Sequence, residues 1–212
     1  MKSLRILLAD DHEMVRQGLR AMIEEQRGWV VCGEARTGRE AVARALDLKP
    51  DVVVMDFTMP ELNGMEATRQ IRAALPRTQV LFLTMHESEE LIPEILAAGA
   101  LGYVLKSDAG GLLVDAIQSL AGQKPYFTSK VAAMILKGYL NPSTRESPVL
   151  TPREREIVQL VGEGMSTKEL ADKLSISPKT AETHRSNILR KLNLRSVSEL
   201  VRYAIRNKLV EP

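Results

Sequence analysis

The chain has 212 residues, of which 26% are charged, with a single cysteine and a formal net charge of +2. That length suits one large or two small domains with cores of their own, and one cysteine excludes an internal disulfide framework. No apolar run approaches the ~20 residues of a spanning helix, and no signal-peptide core follows Met1, so a cytoplasmic soluble protein is expected.

The modest net charge hides an asymmetry. Residues 1–121 hold 13 basic against 18 acidic side chains, a net of −5, whereas 122–150 carries +3 and 151–212 carries +4. An acidic first half suits a metal or a small charged ligand, and a basic second half suits a polyanion.

Taken in order, the first 121 residues alternate short apolar runs with segments of helical period. Leu4 to Ala9, Trp29 to Cys32, Val52 to Asp56, Gln79 to Thr84 and Gly102 to Leu105 read as strands. Met14 to Glu25, Arg39 to Leu48, Met65 to Ala74, Leu91 to Ala98 and Leu112 to Ala121 read as helices between them. Five βα units with right-handed crossovers imply an α/β domain, a doubly wound five-stranded parallel sheet of flavodoxin-like topology. Cys32, inside an apolar run, is expected to be a buried thiol, and Trp29 a core residue.

Beyond Gly122 the regularity changes. Thr128-Ser129 can cap a helix over 130–140, and Asn141 to Pro148 concentrates turn formers, so 122–149 reads as a linker. Thr151-Pro152-Arg153-Glu154 has the pattern of a capping box with proline at the first helical position, opening a second domain over 150–212. Four short helices follow in that domain, an all-α bundle.

The chemistry concentrates at strand ends. Val52 to Asp56 delivers one carboxylate to the sheet's carboxyl edge, where open α/β sheets bind ligands. The first strand ends in Asp10 and Asp11, and the fifth in Lys106. Singly, an acid at a helix start serves the helix dipole and a strand-end lysine is solvated; jointly they place three acids and one ammonium together.

These residues resemble those of a two-component response regulator of the NarL/FixJ class. The receiver half of the resemblance rests on Asp10-Asp11, Asp56, Thr84, Tyr103 and Lys106. The other half rests on Leu150-Thr-Pro-Arg-Glu-Arg-Glu156, Lys168-Glu-Leu-Ala171 and Lys179-Thr-Ala-Glu-Thr-His184, as in a LuxR-type helix-turn-helix. It implies a phosphoacceptor at Asp56, and Mg²⁺ held by Asp10, Asp11, Asp56 and the Thr58 backbone carbonyl. Thr84 and Lys106 are then expected to contact the phosphoryl group, with Tyr103 filling space that Thr84 vacates.

The implied function is transcription control rather than enzymic turnover. Its partners are a sensor histidine kinase, double-stranded DNA and, on phosphorylation, a second copy of the chain. Two departures from the family pattern stand out. Ser107 replaces the proline common after the lysine, so a cis bond there is not assumed, and Met85 stands where many receivers have a small residue.

In the second domain Thr167 to Leu174 is expected to act as scaffold and Ser177 to Leu192 as recognition helix, with Thr180, Ile188, Leu189 and Leu192 on its buried face. Lys179, Glu182, Thr183 and Ser186 are then candidate base contacts. Thr167, Lys168, His184, Arg185, Arg190 and Lys191 are candidate phosphate contacts. His12 and His86 read as rim residues, with no metal-motif spacing.

Two other readings compete. A phosphatase of the haloacid-dehalogenase kind would need an acid two residues after Asp56, where Thr58 stands. A DNA-binding protein whose first domain serves only dimerisation, independent of phosphate, is the other.

Overall fold

The computed structural model describes residues 3–85, 92–140 and 150–210. The chain forms two compact units, the first built around a sheet and the second from the helices after Leu150.

In the first unit, β1 (Leu4–Ala9), β2 (Trp29–Ala35), β3 (Val52–Asp56), β4 (Gln79–Thr84) and β5 (Gly102–Leu105) alternate with α1 (Glu13–Glu24), α2 (Gly38–Leu48), α3 (Gly64–Ala74), α4 (Ile92–Ala97) and α5 (Ala109–Ala121). The strands lie in the order 2-1-3-4-5, all parallel. Every residue of β3 and β4 is buried, which explains why these runs lack polar alternation: helices cover both faces. Ile6, Leu8, Val54, Leu81, Leu83 and Val104 form the sheet's share of one core, against Leu19 and Ile23 of α1 and Leu113, Ile117 and Leu120 of α5.

The expected five-strand sheet and the expected linker both need correction. A sixth strand, β6 (Tyr126–Phe127), adds to the β5 edge in parallel register, Gly102 facing Tyr126 and Tyr103 facing Phe127. It is followed by α6 (Ser129–Leu140), which packs on α4 and β6 within the first unit. Residues 122–140 are thus part of the sheet-bearing unit rather than free linker. Thr128 supports the start of α6, its hydroxyl accepting from the Val131 N–H at 3.4 Å. The linker residues 141–149 lie outside the described residues, as does His86.

Two smaller expectations also shift. Cys32 is half-buried rather than buried, because it lies in β2 at the sheet's edge, and burial pushes its thiol pKa up. Trp29 is partly buried and packs against the core from the start of the same strand. No described peptide bond is cis, that between Lys106 and Ser107 included; Lys106–Asp108 instead forms a 3₁₀ turn leading into α5.

The second unit comprises α7 (Pro152–Gly162), α8 (Thr167–Lys173), α9 (Pro178–Lys191) and α10 (Val197–Arg206). Each starts on a hydroxyl cap: Thr151, Ser166, Ser177 and Ser196 accept the N–H three residues on. The capping box expected at Thr151 and Glu154 is present, and Ser166 with Glu169 forms another. The core joins Ile157, Leu160 and Val161 to Leu170, Ala171, Ala181, Ile188, Leu200 and Ala204.

One backbone approach fixes the chain after β3. At Gly64 a Cβ would lie 1.9 Å from the Asp56 carbonyl oxygen, and the Gly64 N–H donates to the Phe57 carbonyl at 2.9 Å. Gly64→Ala is therefore expected to cost about 3 kcal/mol through forced backbone movement, read as a lower urea midpoint with an unchanged slope. An unchanged midpoint would contradict this close approach.

Candidate functional site

The three parallel strands β1, β3 and β5 end at the same edge, and their register brings the expected residues together. Lys106 Nζ lies 2.8 Å from Asp56 Oδ2 and 2.7 Å from Asp10 Oδ2. The contact with Asp56 is an aligned hydrogen bond, whereas Asp10 Oδ2, buried and with no aligned donor, forms a close ion pair with the same ammonium. Asp56 Oδ1 accepts from the Phe57 N–H at 2.8 Å. Lys106 remains charged and its pKa is raised: burial works against the charge, but Asp56 and Asp10 outweigh it.

Asp10 is fixed by its backbone as well. Its N–H donates to the Ala35 carbonyl at 3.1 Å, and its Oδ1 accepts the His12 N–H at 2.9 Å. Asp11 is exposed at the mouth. His12, expected only at the rim, joins the cluster: its Nδ1 lies 2.8 Å from Asp11 Oδ1 and 3.3 Å from Asp10 Oδ1. It holds the N-cap position of α1 without capping it, so the imidazole turns to the carboxylates.

One ligand atom from each of Asp10, Asp11, His12 and Asp56 falls within 4.8 Å of the others. Three carboxylates around a single ammonium, with one buried oxygen lacking an aligned donor, form an acidic pocket compatible with a hard divalent cation. Thr58, whose carbonyl is the fourth expected ligand, follows β3 in a half-buried turn.

Thr84 ends β4, buried, with Leu105 as its register neighbour on β5. Tyr103 is 2% exposed and lies opposite Phe82. Met85, beside the pocket in sequence, is 70% exposed, so its side chain does not fill the site.

Sequence reasoning missed the groups behind Asp10. Arg16 of α1 is fully buried, donating through Nη1 to the Asp10 carbonyl at 2.7 Å and through Nε to Glu34 at 3.2 Å. A lone arginine in an amphipathic helix reads as a solvated face, and only its i+4 spacing from His12 placed it over the strand end.

In the second unit, α8 and α9 pack as a helix-turn-helix. The buried face of α9 is Ala181 and Ile188, with Leu189 and Leu192 half-buried. Thr180 was expected on that face but is exposed, because it belongs to the cap, its N–H donating to Ser177 Oγ at 3.0 Å. Lys179, Glu182, Thr183 and Ser186 are all exposed along the helix; Thr183 donates its hydroxyl to the Lys179 carbonyl at 2.8 Å.

Among the expected phosphate contacts, Arg185 donates to the Thr167 hydroxyl, joining α9 to the start of α8. Lys168 is exposed and His184 half-buried. Arg190 donates to Asn187 Oδ1 at 2.9 Å, and Lys191 pairs with Glu154 of α7 at 2.7 Å. Lys191 is thus engaged within the unit.

Residues 6–118 match the response regulator receiver domain family, and residues 148–204 match the bacterial regulatory proteins of the luxR family. The transcriptional regulatory protein LiaR of Bacillus subtilis is 40% identical over 209 residues, covering 98% of this chain and 99% of that protein. Among solved structures, the RcsB response regulator of Salmonella typhimurium is 26% identical with a TM-score of 0.60, over 96% of this chain and 98% of that one. A structure of an RcsB–DNA complex is 25% identical with a TM-score of 0.59, over 95% of this chain and 98% of that one.

Burial, and then the charge of Asp10, push the Asp56 pKa up from 3.8 to about 6, against the pull of Lys106. A carboxyl raised in the native state holds a proton that the unfolded chain has released. The stability it contributes is complete below about pH 4 and is lost as pH rises through about 6. Asp56→Asn, neutral throughout, is expected to stabilise the metal-free chain at pH 7.5 by on the order of 2 kcal/mol and to leave it unchanged near pH 4. Urea unfolding with a chelator at both pH values checks this, and a gain of equal size at the two would contradict it.

Proposed function

This chain belongs to the response regulators that join a receiver domain to a LuxR-family DNA-binding domain, and we propose that phosphorylation of Asp56 by a sensor histidine kinase controls its dimerisation and its binding to DNA. The observation that carries this reading is the Lys106 ammonium set between the Asp10 and Asp56 carboxylates, in a chain that also bears a helix-turn-helix.

In the proposed transfer, an Asp56 oxygen bonds to phosphorus as the bond to the kinase's phosphohistidine nitrogen breaks. An anion attacking an anion needs neutralisation. Asp10, Asp11, Asp56 and the Thr58 carbonyl would hold Mg²⁺, which supplies positive charge when bound. Lys106, already hydrogen-bonded to Asp56, would pair with a phosphoryl oxygen, and the Thr84 hydroxyl would bond another. Tyr103, buried next to the β4 end, would repack as Thr84 shifts. The chain acts here as a switch set by a covalent mark, not as a turnover enzyme, and its place would be the cytoplasm.

Exposure of Lys179, Glu182, Thr183 and Ser186 supports their assignment to base edges in the major groove. Thr167, Lys168, His184, Arg185, Arg190 and Lys191 would position the backbone. For Lys191 this needs its pairing with Glu154 to yield to a phosphate, as exposed ion pairs do at small cost.

A small phosphodonor is expected to label the full chain at Asp56 only when Mg²⁺ is present. Asp56→Asn is expected to take no label and Asp11→Ala little or none; label on Asp56→Asn would overturn the assignment. On DNA, Arg185→Ala is expected to weaken specific and random sites alike and to make the salt slope shallower by roughly one unit. Glu182→Ala is expected instead to relax one base preference in each half-site, the half-sites lying about 10 base pairs apart. Site selection that returned no paired half-sites would refute this docking.

A further inference from the structure

We infer that Arg16 is a positioning residue for the acidic pocket, acting through the backbone of Asp10 and backed by a carboxylate relay from β2. The inference rests on the reading of that pocket as a cation and phosphoacceptor site, and concerns what aims its least exposed acid.

Asp10 follows the last residue of β1, beyond the ladder proper. Its N–H is held by the Ala35 carbonyl at 3.1 Å, but its own carbonyl has no strand partner to take it. Arg16 Nη1 fills that place at 2.7 Å. With both faces of its peptide environment bonded, Asp10 has little freedom to rotate, and its Oδ2 stays within 2.7 Å of Lys106.

A buried guanidinium needs a counter-charge, and Glu34 supplies it from the neighbouring strand β2, with Oε2 at 3.2 Å from Arg16 Nε. Glu34 is itself held by Arg20, at 2.8 Å from Nε and 2.7 Å from Nη2, and Arg20 also reaches Glu24 at 2.6 Å. The relay therefore runs Glu24, Arg20, Glu34, Arg16, Asp10, tying two turns of α1 and the C-terminal end of β2 to the Asp10 backbone carbonyl. Arg16 uses two different nitrogens for its two partners, a fork that a lysine ammonium on a flexible stem does not reproduce.

Groups behind the ligands of a metal site typically contribute 10–100-fold to affinity by fixing ligand orientation. Arg16→Met and Arg16→Lys are each expected to raise the Mg²⁺ concentration for half-maximal labelling of the full chain about tenfold, with the phosphodonor KM unchanged. Glu34→Gln, at a half-exposed position that leaves Arg16 in place, is expected to give a smaller rise in the same direction. In the metal-free protein the His12 amide, which donates to Asp10 Oδ1, is expected to shift in the nuclear magnetic resonance spectra of all three variants.

A purely structural arginine would lower the urea midpoint while leaving the Mg²⁺ midpoint and the His12 amide at their wild-type values, and that result would overturn the inference. Should Arg16→Met fail to fold, Glu34→Gln decides by the same two readouts. If the wild-type chain itself took no Mg²⁺-dependent label, the pocket's assigned role would fail, and the metal-free His12 amide would still report whether Arg16 aims Asp10.

Discussion

A single ammonium stands against two buried carboxylates, and the first unit is arranged around that imbalance. Lys106 is close enough to pair with Asp10 and Asp56 together, yet one positive charge does not neutralise two negative ones, and Asp11 adds a third at the mouth. Burial first, and the Asp10 charge second, raise the Asp56 pKa against the pull of Lys106. The excess of negative charge is what makes the pocket fit a hard cation. Such an arrangement costs stability, and it persists because β3, which delivers Asp56, and its neighbour β4 are buried along their whole length, with β1 and β5 paired on either side of them.

The second unit solves a different problem. Helices of 7 to 14 residues are marginal alone, since nucleation costs more than a few turns return. Four hydroxyl caps satisfy the first free N–H groups of each helix, and one apolar cluster joins all four. That leaves the outward face of α9 without structural duties over most of its length. Lys179, Glu182 and Ser186 are exposed there, which is the condition for reading base edges in a groove.

The legible parts of the chain were those in which one signal had one meaning. Apolar runs ending in Asp10, Asp56 and Lys106 gave both the strands and the site, because strand direction in a parallel sheet sends all carboxyl ends to one edge. The Thr151 capping box was legible for the same reason. What escaped were residues whose role is set by tertiary neighbours. Tyr126 and Phe127 form a strand of only two residues after Pro125, too short for any period, and it exists because the β5 edge accepts it. Thr180 fits a helical face by spacing but lies in the first turn, where the cap at Ser177 governs it. Arg16 reads as solvated until the Asp10 carbonyl and Glu34 are seen on either side of it.

The distribution of these supports around the pocket is uneven, and that bears on how a phosphoryl group would act. On the β1 side Asp10 is bonded through its N–H, its carbonyl and its Oδ1, to Ala35, Arg16 and His12. On the β5 side Lys106 opens a three-residue 3₁₀ turn whose Ser107 and Asp108 are exposed. Adding negative charge at Asp56 would draw the ammonium away from Asp10, and the strain of that shift falls on whichever side yields at less cost. The β1 side is cross-braced to α1 and β2, so the movement would be taken up at β5, where Leu105 is the register neighbour of Thr84, and Tyr103 lies two residues back. Beyond Tyr103 on the same edge comes Phe127 of β6, and with it α6.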